Sequence, residues 1–88
     1  MQKIRSKHDA RKLAEKLVED WSVEITVWNS RKIKVVDQDI EDPGIFYIRI
    51  IDDINGSLHH ERHTVSDLTE QIWANRRYIN KCNQLAAL

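Results

Sequence analysis

Ile-Phe-Tyr-Ile-Arg-Ile-Ile-Asp-Asp-Ile-Asn-Gly-Ser-Leu-His-His-Glu-Arg-His-Thr-Val-Ser, residues 45–66, is the stretch that decides the fold. A run of apolar, β-branched and aromatic residues leads into Asn55-Gly56, a dipeptide that tolerates the positive φ angles of a tight reversal. Residues 57–64 then form a shorter and more polar run. The pattern predicts a β-hairpin whose second strand is a short polar edge strand.

The register of this hairpin depends on the length of its loop. A three-residue loop, residues 54–56, places Arg49 opposite Glu61, which is an attractive pair. A two-residue loop places Arg49 opposite Arg62, which is repulsive. We therefore expect the three-residue loop.

Two further strands precede the hairpin. Apolar and polar residues alternate over residues 23–28 and again over residues 32–36, as in strands that are buried on one face. Residues 37–44 form an acidic loop, and its last three residues, Asp42-Pro43-Gly44, have the pattern of a type II turn. That turn requires a positive φ at Gly44.

Helices are predicted at both ends of the chain. Ser6 followed by Asp9 predicts a helix start, and an apolar stripe at spacings of three and four follows it: Ala10, Leu13, Ala14, Leu17, Val18 and Trp21. Thr64 or Ser66 is expected to begin the second helix, whose stripe is Leu68, Ile72, Ile79 and Cys82.

The element order predicts an α+β fold. We expect a two-layer sandwich in the order helix, four-stranded antiparallel meander, helix, with three long strands and the short polar edge strand. Residues 1–88 form a single domain in this interpretation. Residues 1–5 are predicted to be a basic arm and residues 83–88 a frayed tail.

Composition narrows the function classes. The chain has 88 residues, no formal net charge, two glycines and one cysteine, Cys82. It has neither a secretory signal nor an apolar stretch near the roughly 20 residues that span a bilayer, so we expect a cytoplasmic protein without a membrane partner. Because we find no catalytic signature, glycine-rich phosphate loop or nucleophile, we expect no enzyme activity, no cofactor and no small-molecule substrate.

The face of the sheet that the helices leave uncovered is the first candidate site. Alternation places Trp28, Lys34, Tyr47, Arg49 and Ile51 on it, and we predict that these residues bind a protein partner or a second copy of the chain. Exposed aromatic and cationic side chains are typical of protein interfaces. The alternative is that the edge strand, the arm or the tail folds over this face.

Uneven charge suggests a nucleic-acid-binding alternative. Residues 1–16 hold six basic residues against two acidic ones, and residues 37–53 hold six acidic residues against one basic one. The candidates for phosphate contacts are Lys3, Arg5, Lys7, Arg11, Lys12, Arg76 and Arg77. The neutral net charge counts against this function, because phosphate contacts dominate such affinity.

The histidine-rich run 59–63 raises the question of a metal site. On a strand, His59, Glu61 and His63 share one face, but the two histidines lie about 13 Å apart and do not clasp one ion together. We therefore expect no metal and favour a solvated edge strand, with a metal-binding protein that uses His59, Glu61 and His63 as the third functional alternative. A pH-responsive interface is the other interpretation, because histidines titrate near neutrality.

The order of elements is similar to that of two nucleic-acid-binding families. Helix, strands, helix resembles double-stranded-RNA-binding domains, and strands followed by a helix resembles the amino-terminal DNA-binding domain of lambda-type integrases. The RNA-binding family has a lysine cluster at the start of its last helix, where this chain has Ser66, Asp67 and Glu70. We assign no family from the sequence.

Overall fold

One helix, four strands and two further helices follow each other along the chain. The structure is a computed structural model that describes residues 3–28 and 31–87, without the side chains of residues 83–87. Its elements are α1 (Lys7–Glu19), β1 (Ile25–Trp28), β2 (Arg31–Gln38), β3 (Phe46–Asp52), β4 (Ser57–His63), α2 (Val65–Ala74) and α3 (Arg76–Ala87). The sheet is an antiparallel meander in the order β1-β2-β3-β4. The predicted α+β class and the meander are confirmed, but the short strand is β1, with four residues, whereas β4 has seven residues, as many as β3.

The core lies between one face of the sheet and the three helices. Alternation along the two central strands brings Ile33 and Val35 of β2 and Ile48 of β3 to this face, and each is at most 2 % exposed. The helices contribute Ala10, Leu13, Ala14, Leu17, Leu68, Ile72 and Ile79. The predicted stripe of α1 is confirmed except at its end, where Trp21 is exposed.

Both predicted helix starts have the expected hydrogen bonds. Ser6 Oγ accepts from the backbone N–H of Asp9 at 3.2 Å. At α2, Thr64 Oγ1 accepts from Asp67 N–H at 3.1 Å, and the Asp67 carboxylate accepts from Thr64 N–H at 3.0 Å. These side chains satisfy backbone donors that the first turn of a helix leaves unpaired.

The hairpin loop is longer than predicted, and both expected registers are wrong. Asp52 pairs with Ser57, so four residues form the turn and Arg49 lies opposite His60. The carboxylate of Asp52, a residue that is 6 % exposed, accepts from the backbone N–H groups of Ile54 and Asn55 at 3.2 and 3.1 Å. In a shorter loop, backbone N–H groups of the turn would pair with backbone carbonyl groups. Here the Asp52 carboxylate is their acceptor.

The turn at the end of the acidic loop forms, but it is not of type II. The backbone N–H of Ile45 donates to the carbonyl of Asp42 at 3.0 Å. Positive φ occurs at Gly56, with a value of 66°, and not at Gly44. The Asp42 side chain accepts from Gly44 N–H at 3.0 Å instead and fixes the turn by an Asx-type bond.

The predicted C-terminal helix is divided into two at Asn75. This residue leaves the helical region at φ −104° and ψ 15°, and its Nδ2 donates to the carbonyl of Gln71 at 2.9 Å. A local bond from the asparagine side chain competes with continuation of the helix. α3 therefore has its own direction and packs against β1.

The N-terminal segment is packed against α3. Ile4 is 3 % exposed, and its backbone N–H and carbonyl both bond to the side-chain amide of Asn80, at 2.7 and 2.9 Å. The predicted basic arm at residues 1–5 is therefore docked on α3 at Ile4, while Lys3 and Arg5 are exposed, and Met1 and Gln2 lie outside the described residues. α3 continues to Ala87, while the side chains of 83–87 and the whole of Leu88 are not described, so the frayed tail stays a prediction.

The described helices are too short or too polar for a bilayer. Over residues 3–28 and 31–87, we find no helix with the length and apolar character that a membrane crossing needs.

Candidate functional site

The sheet face opposite to the core carries three rows of side chains, and we call these nine residues the open face. From the acidic loop to the hairpin turn, the rows are Asp37, Tyr47 and Arg62, then Lys34, Arg49 and His60, then Lys32, Ile51 and Leu58. Residues directly opposite each other on neighbouring strands point to the same side of a sheet. The buried residues of all three helices belong to the core on the other side.

The middle row concentrates positive charge. Lys34 and Arg49 are direct cross-strand neighbours, and His60 lies on the far side of Arg49. Like charges in directly opposite positions destabilise a sheet. Among the described residues, neither Lys34 nor Arg49 has a carboxylate within ion-pair distance. The described residues therefore provide no carboxylate that neutralises the positive charge of the middle row.

Arg49 also has an unsatisfied donor. Its Nε is buried from solvent and has no hydrogen-bond partner among the residues that the structure describes. A buried N–H of a charged group without an acceptor costs free energy, and such groups in native structures call for an explanation. An acceptor supplied from outside the chain would satisfy this guanidinium.

One end of the open face is fixed by hydrogen bonds to the acidic loop. The Tyr47 hydroxyl donates to Asp39 at 2.8 Å, and the guanidinium of Arg62 lies 3.7 Å from the same carboxylate and 5.8 Å from the Tyr47 ring centroid. The backbone N–H of Asp42, the Tyr47 hydroxyl and the backbone N–H of Glu41, in that order, lower the pKa of Asp39. The Tyr47 ring is thus held in one orientation by an ionised carboxylate.

The other end of the open face is apolar. Ile51 and Leu58 are cross-strand neighbours, and Leu58 is 57 % exposed. Lys32, on the other side of Ile51, pairs with Asp53 at 3.2 Å. The open face therefore has an aromatic end, a cationic middle and an apolar end, a combination that suits binding of an anionic group flanked by apolar contacts.

Trp28 is separated from the other four predicted protein-binding residues. The prediction that it shares their face is wrong, because an irregularity in the pairing of β1 with β2 falls between Thr26 and Trp28 and shifts the alternation. Its ring lies 5.6 Å from that of Tyr78 on α3 and borders a groove lined by Ile33. Lys34, Tyr47, Arg49 and Ile51 are brought together on the open face as predicted.

Five residues of the open face were not among the predicted binding residues: Lys32 and Asp37 on β2, and Leu58, His60 and Arg62 on β4. Leu58, His60 and Arg62 reach it because the four-residue loop shifts β4 by one position relative to the expected register. The signal for those on β4 is Asp52, since an aspartate side chain accepts from backbone N–H groups of the turn that follows it.

The histidine cluster faces the helix side of the sheet. His63 Nε2 lies 2.8 Å from one oxygen of Glu61, and His59 Nε2 lies 3.3 Å from the other. The hydrogen bond from His63, followed by that from His59, lowers the pKa of the Glu61 carboxyl. The candidates thus form a carboxylate held between two imidazoles, and in the described part of the chain no three histidine, cysteine or carboxylate side chains are grouped to hold a metal ion.

The nucleic-acid candidates lie on three elements. Lys3 and Arg5 are exposed in the N-terminal segment, and Lys12 is exposed on α1. Two others have carboxylate partners: Lys7 pairs with Glu70 at 3.3 Å, and Arg11 pairs with Glu15 at 3.7 Å.

The two candidates on α3 differ from each other. The Arg76 guanidinium lies 4.0 Å from the Trp73 ring centroid and donates to the Trp73 carbonyl. Arg77 is exposed. Of the seven candidates, three are therefore engaged in contacts within the chain.

Comparisons with known proteins give no match, whether against family models, curated proteins or solved structures.

Proposed function

We propose that this chain is a non-enzymatic interaction protein that binds a protein partner through the open face. The observation that carries the proposal is the unbalanced middle row, in which Arg49 has a buried and unpaired Nε beside Lys34. The partner supplies a carboxylate to this row and apolar side chains to its two ends. Binding then satisfies a donor that the free protein leaves unpaired.

The composition of the open face supports a protein surface as the partner. Tyrosine and arginine are enriched among the residues that dominate binding energy in protein interfaces. Tyr47 is held by Asp39 before the partner arrives, so little side-chain entropy is lost when it is contacted. Ile51 and Leu58 provide apolar area that water covers in the free protein.

A different protein suits the open face better than a second copy of the chain does. A symmetric face-to-face dimer places the middle row of one copy close to that of the other, and this brings Lys34 and Arg49 against their own equivalents. Such a contact is isologous, so the same charges meet. Light scattering at low and high salt tests this directly, since a doubled mass would identify a second copy as the partner.

The binding test uses a defined acidic probe. A short peptide that alternates glutamate and leucine is titrated into the isotope-labelled protein, and the backbone amide shifts are followed by NMR. We expect shifts centred on Lys34, Arg49 and His60. The matched peptide with glutamine in place of glutamate should bind at least about tenfold more weakly, because it lacks the charge that pairs with the middle row.

Two arginine variants separate the candidate surfaces. Arg49→Gln should weaken binding of the acidic peptide about tenfold or more, while Arg77→Gln, at an exposed arginine of α3, should leave it unchanged. Equal binding by wild type and Arg49→Gln, or peptide shifts that avoid β2, β3 and β4, would overturn the proposal.

The nucleic-acid alternative predicts salt-sensitive binding of duplex DNA. This binding is lost in the double variant Lys12→Gln with Arg77→Gln and retained in Arg49→Gln.

A further inference from the structure

A groove lies on the helix side of the sheet, away from the open face. It has a volume of about 470 Å³, within the range of small-ligand sites in proteins. Its apolar surface comes from Val27, Ile33 and Ile50, and its polar edge comes from β4 and the end of α2. This combination of an apolar wall with a few polar groups is typical of a site for a small group.

The polar edge presents hydrogen-bond acceptors. Glu61 lines the groove, and His63 and His59 each contact one of its oxygens, which leaves further lone pairs on both. Asn75 uses its Nδ2 to bond the carbonyl of Gln71, and its Oδ1 has no donor among the described residues. The groove therefore offers a carboxylate and an amide oxygen to a ligand that carries N–H groups.

The aromatic wall of the groove is the indole of Trp28. Trp28 is 56 % exposed, and it is supported from the side by Tyr78 at a centroid distance of 5.6 Å with the rings tilted by 44°. The face of an indole attracts cations through its quadrupole. A half-exposed and supported tryptophan in a groove that also contains the Glu61 carboxylate favours a cation over an anion.

The cation that already lines the groove is balanced by its own partner. Arg31 Nε lies 3.4 Å from the carboxylate of Asp52, a residue that is 6 % exposed. The negative charge of Glu61 faces imidazoles, which carry a full positive charge only when protonated. The hydrogen bonds from His63 and His59 lower the pKa of the Glu61 carboxyl, so the groove carries an ionised carboxylate.

We propose that this groove binds a guanidinium group, with Trp28 against its plane, Asn75 accepting an N–H bond and the Glu61 carboxylate supplying negative charge from the opposite edge strand. A guanidinium is planar, stacks on aromatic rings and presents five donors in a fixed geometry, whereas an ammonium is a compact and strongly hydrated charge. The source is either free arginine or the arginine side chain of a peptide. The proposal is independent of the open face, because the two sites lie on opposite sides of the sheet.

The test compares arginine with its neutral isostere. N-acetyl-arginine methylamide, free arginine and N-acetyl-citrulline methylamide are each titrated into the labelled protein, and the indole N–H of Trp28 and the amides of Glu61 and Asn75 are followed by NMR. We expect binding of the arginine derivative and at least about tenfold weaker binding of the citrulline derivative. Equal binding of free arginine would indicate a small-molecule ligand, and preference for the capped form would indicate a peptide.

Matched variants locate the site. Glu61→Gln should weaken binding of the arginine derivative about tenfold, whereas Glu24→Gln, an exposed carboxylate next to β1, should not change it. Trp28→Phe should retain most of the binding and Trp28→Leu should lose it, with circular dichroism confirming that each variant is folded. Failure of both arginine compounds to bind, equal binding of citrulline, or wild-type affinity in Glu61→Gln would overturn the proposal without affecting the open-face proposal.

Discussion

The two faces of this sheet are built from the same strands, but their side chains are satisfied to different extents. On the core face, the row of Val35, Ile48 and Glu61 is apolar at its centre and hydrogen-bonded to histidines at its edge. On the open face, the neighbouring row of Lys34, Arg49 and His60 contains like charges and an unpaired Nε. The core face is therefore satisfied by contacts within the folded chain. The open face keeps a buried guanidinium N–H for which the described residues supply no acceptor.

The largest effect expected from this difference is in core packing. Ile48 is 1 % exposed at the centre of the core face, so Ile48→Ala should lower the free energy of unfolding by about 2–5 kcal/mol. Ile51→Ala, on the open face of the same strand, should lower it by less than about 1 kcal/mol, because that residue is only half-buried. Urea unfolding followed by circular dichroism measures both, and similar losses would show that the open face is covered in solution.

The next largest effect on the free energy of unfolding is expected at the turn between β3 and β4, which determines the register of β4. Asp52→Ala removes the acceptor for Ile54 and Asn55 and the partner of Arg31, so it should cost about 1–3 kcal/mol of unfolding free energy. Asp53→Ala removes only the exposed pair with Lys32 and should cost less than about 1 kcal/mol. Thermal unfolding of the two variants side by side checks the ranking, and a reversed order would contradict this role of Asp52.

A smaller effect of opposite sign is expected in the middle row. Arg49→Gln removes a charge opposite Lys34 and the unpaired guanidinium donor, so it should leave the free energy of unfolding unchanged or raise it by up to about 1 kcal/mol. Loss of stability together with loss of peptide binding would instead assign Arg49 a structural role. If Arg49→Gln keeps the stability of wild type but binds the acidic peptide more weakly, Arg49 serves binding and not folding.

The smallest effect is a pH dependence on the core face. The hydrogen bonds from His63 and His59 lower the pKa of Glu61 in the folded state below the value of 4.5 for the free side chain. A depressed carboxyl pKa stabilises the fold above the unfolded pKa, and this stabilisation is lost as pH falls through the folded pKa. Because Glu61 is partly exposed, the contribution should be under about 1 kcal/mol.

Chemical denaturation at pH 7 and at pH 3 tests this dependence. Wild type should lose more unfolding free energy between the two conditions than Glu61→Gln does, and Glu24→Gln should behave as wild type. An equal loss in wild type and Glu61→Gln would show that the two imidazoles do not stabilise the Glu61 carboxylate.

Local patterns predicted most of the fold. The caps at Ser6 and Thr64, the alternation in β2 and β3 and the stripe of α1 depend on neighbours in sequence, and the structure confirms them. The helix boundary at Asn75 was missed because helical periodicity continues through Ile79.

The open face was only partly predictable for a physical reason. Residues on β3 follow from alternation, but those on β4 depend on register, and one position changes which side every β4 residue occupies. The attraction between Arg49 and Glu61 favoured a three-residue loop. The hydrogen bonds of Asp52 within the turn stabilise the four-residue loop instead, and Arg49 lies opposite His60. Trp28 was misplaced by a pairing irregularity that the sequence does not mark.

The bond between Ile4 and Asn80 has a consequence for how the protein is made. It joins residues 76 positions apart, with both backbone groups of Ile4 bonded to one side chain. This contact cannot form until α3 has been synthesised, so the N-terminal segment stays undocked until then. Docking of Ile4 therefore requires α3, and a chain that lacks Asn80 leaves both backbone groups of Ile4 without this partner.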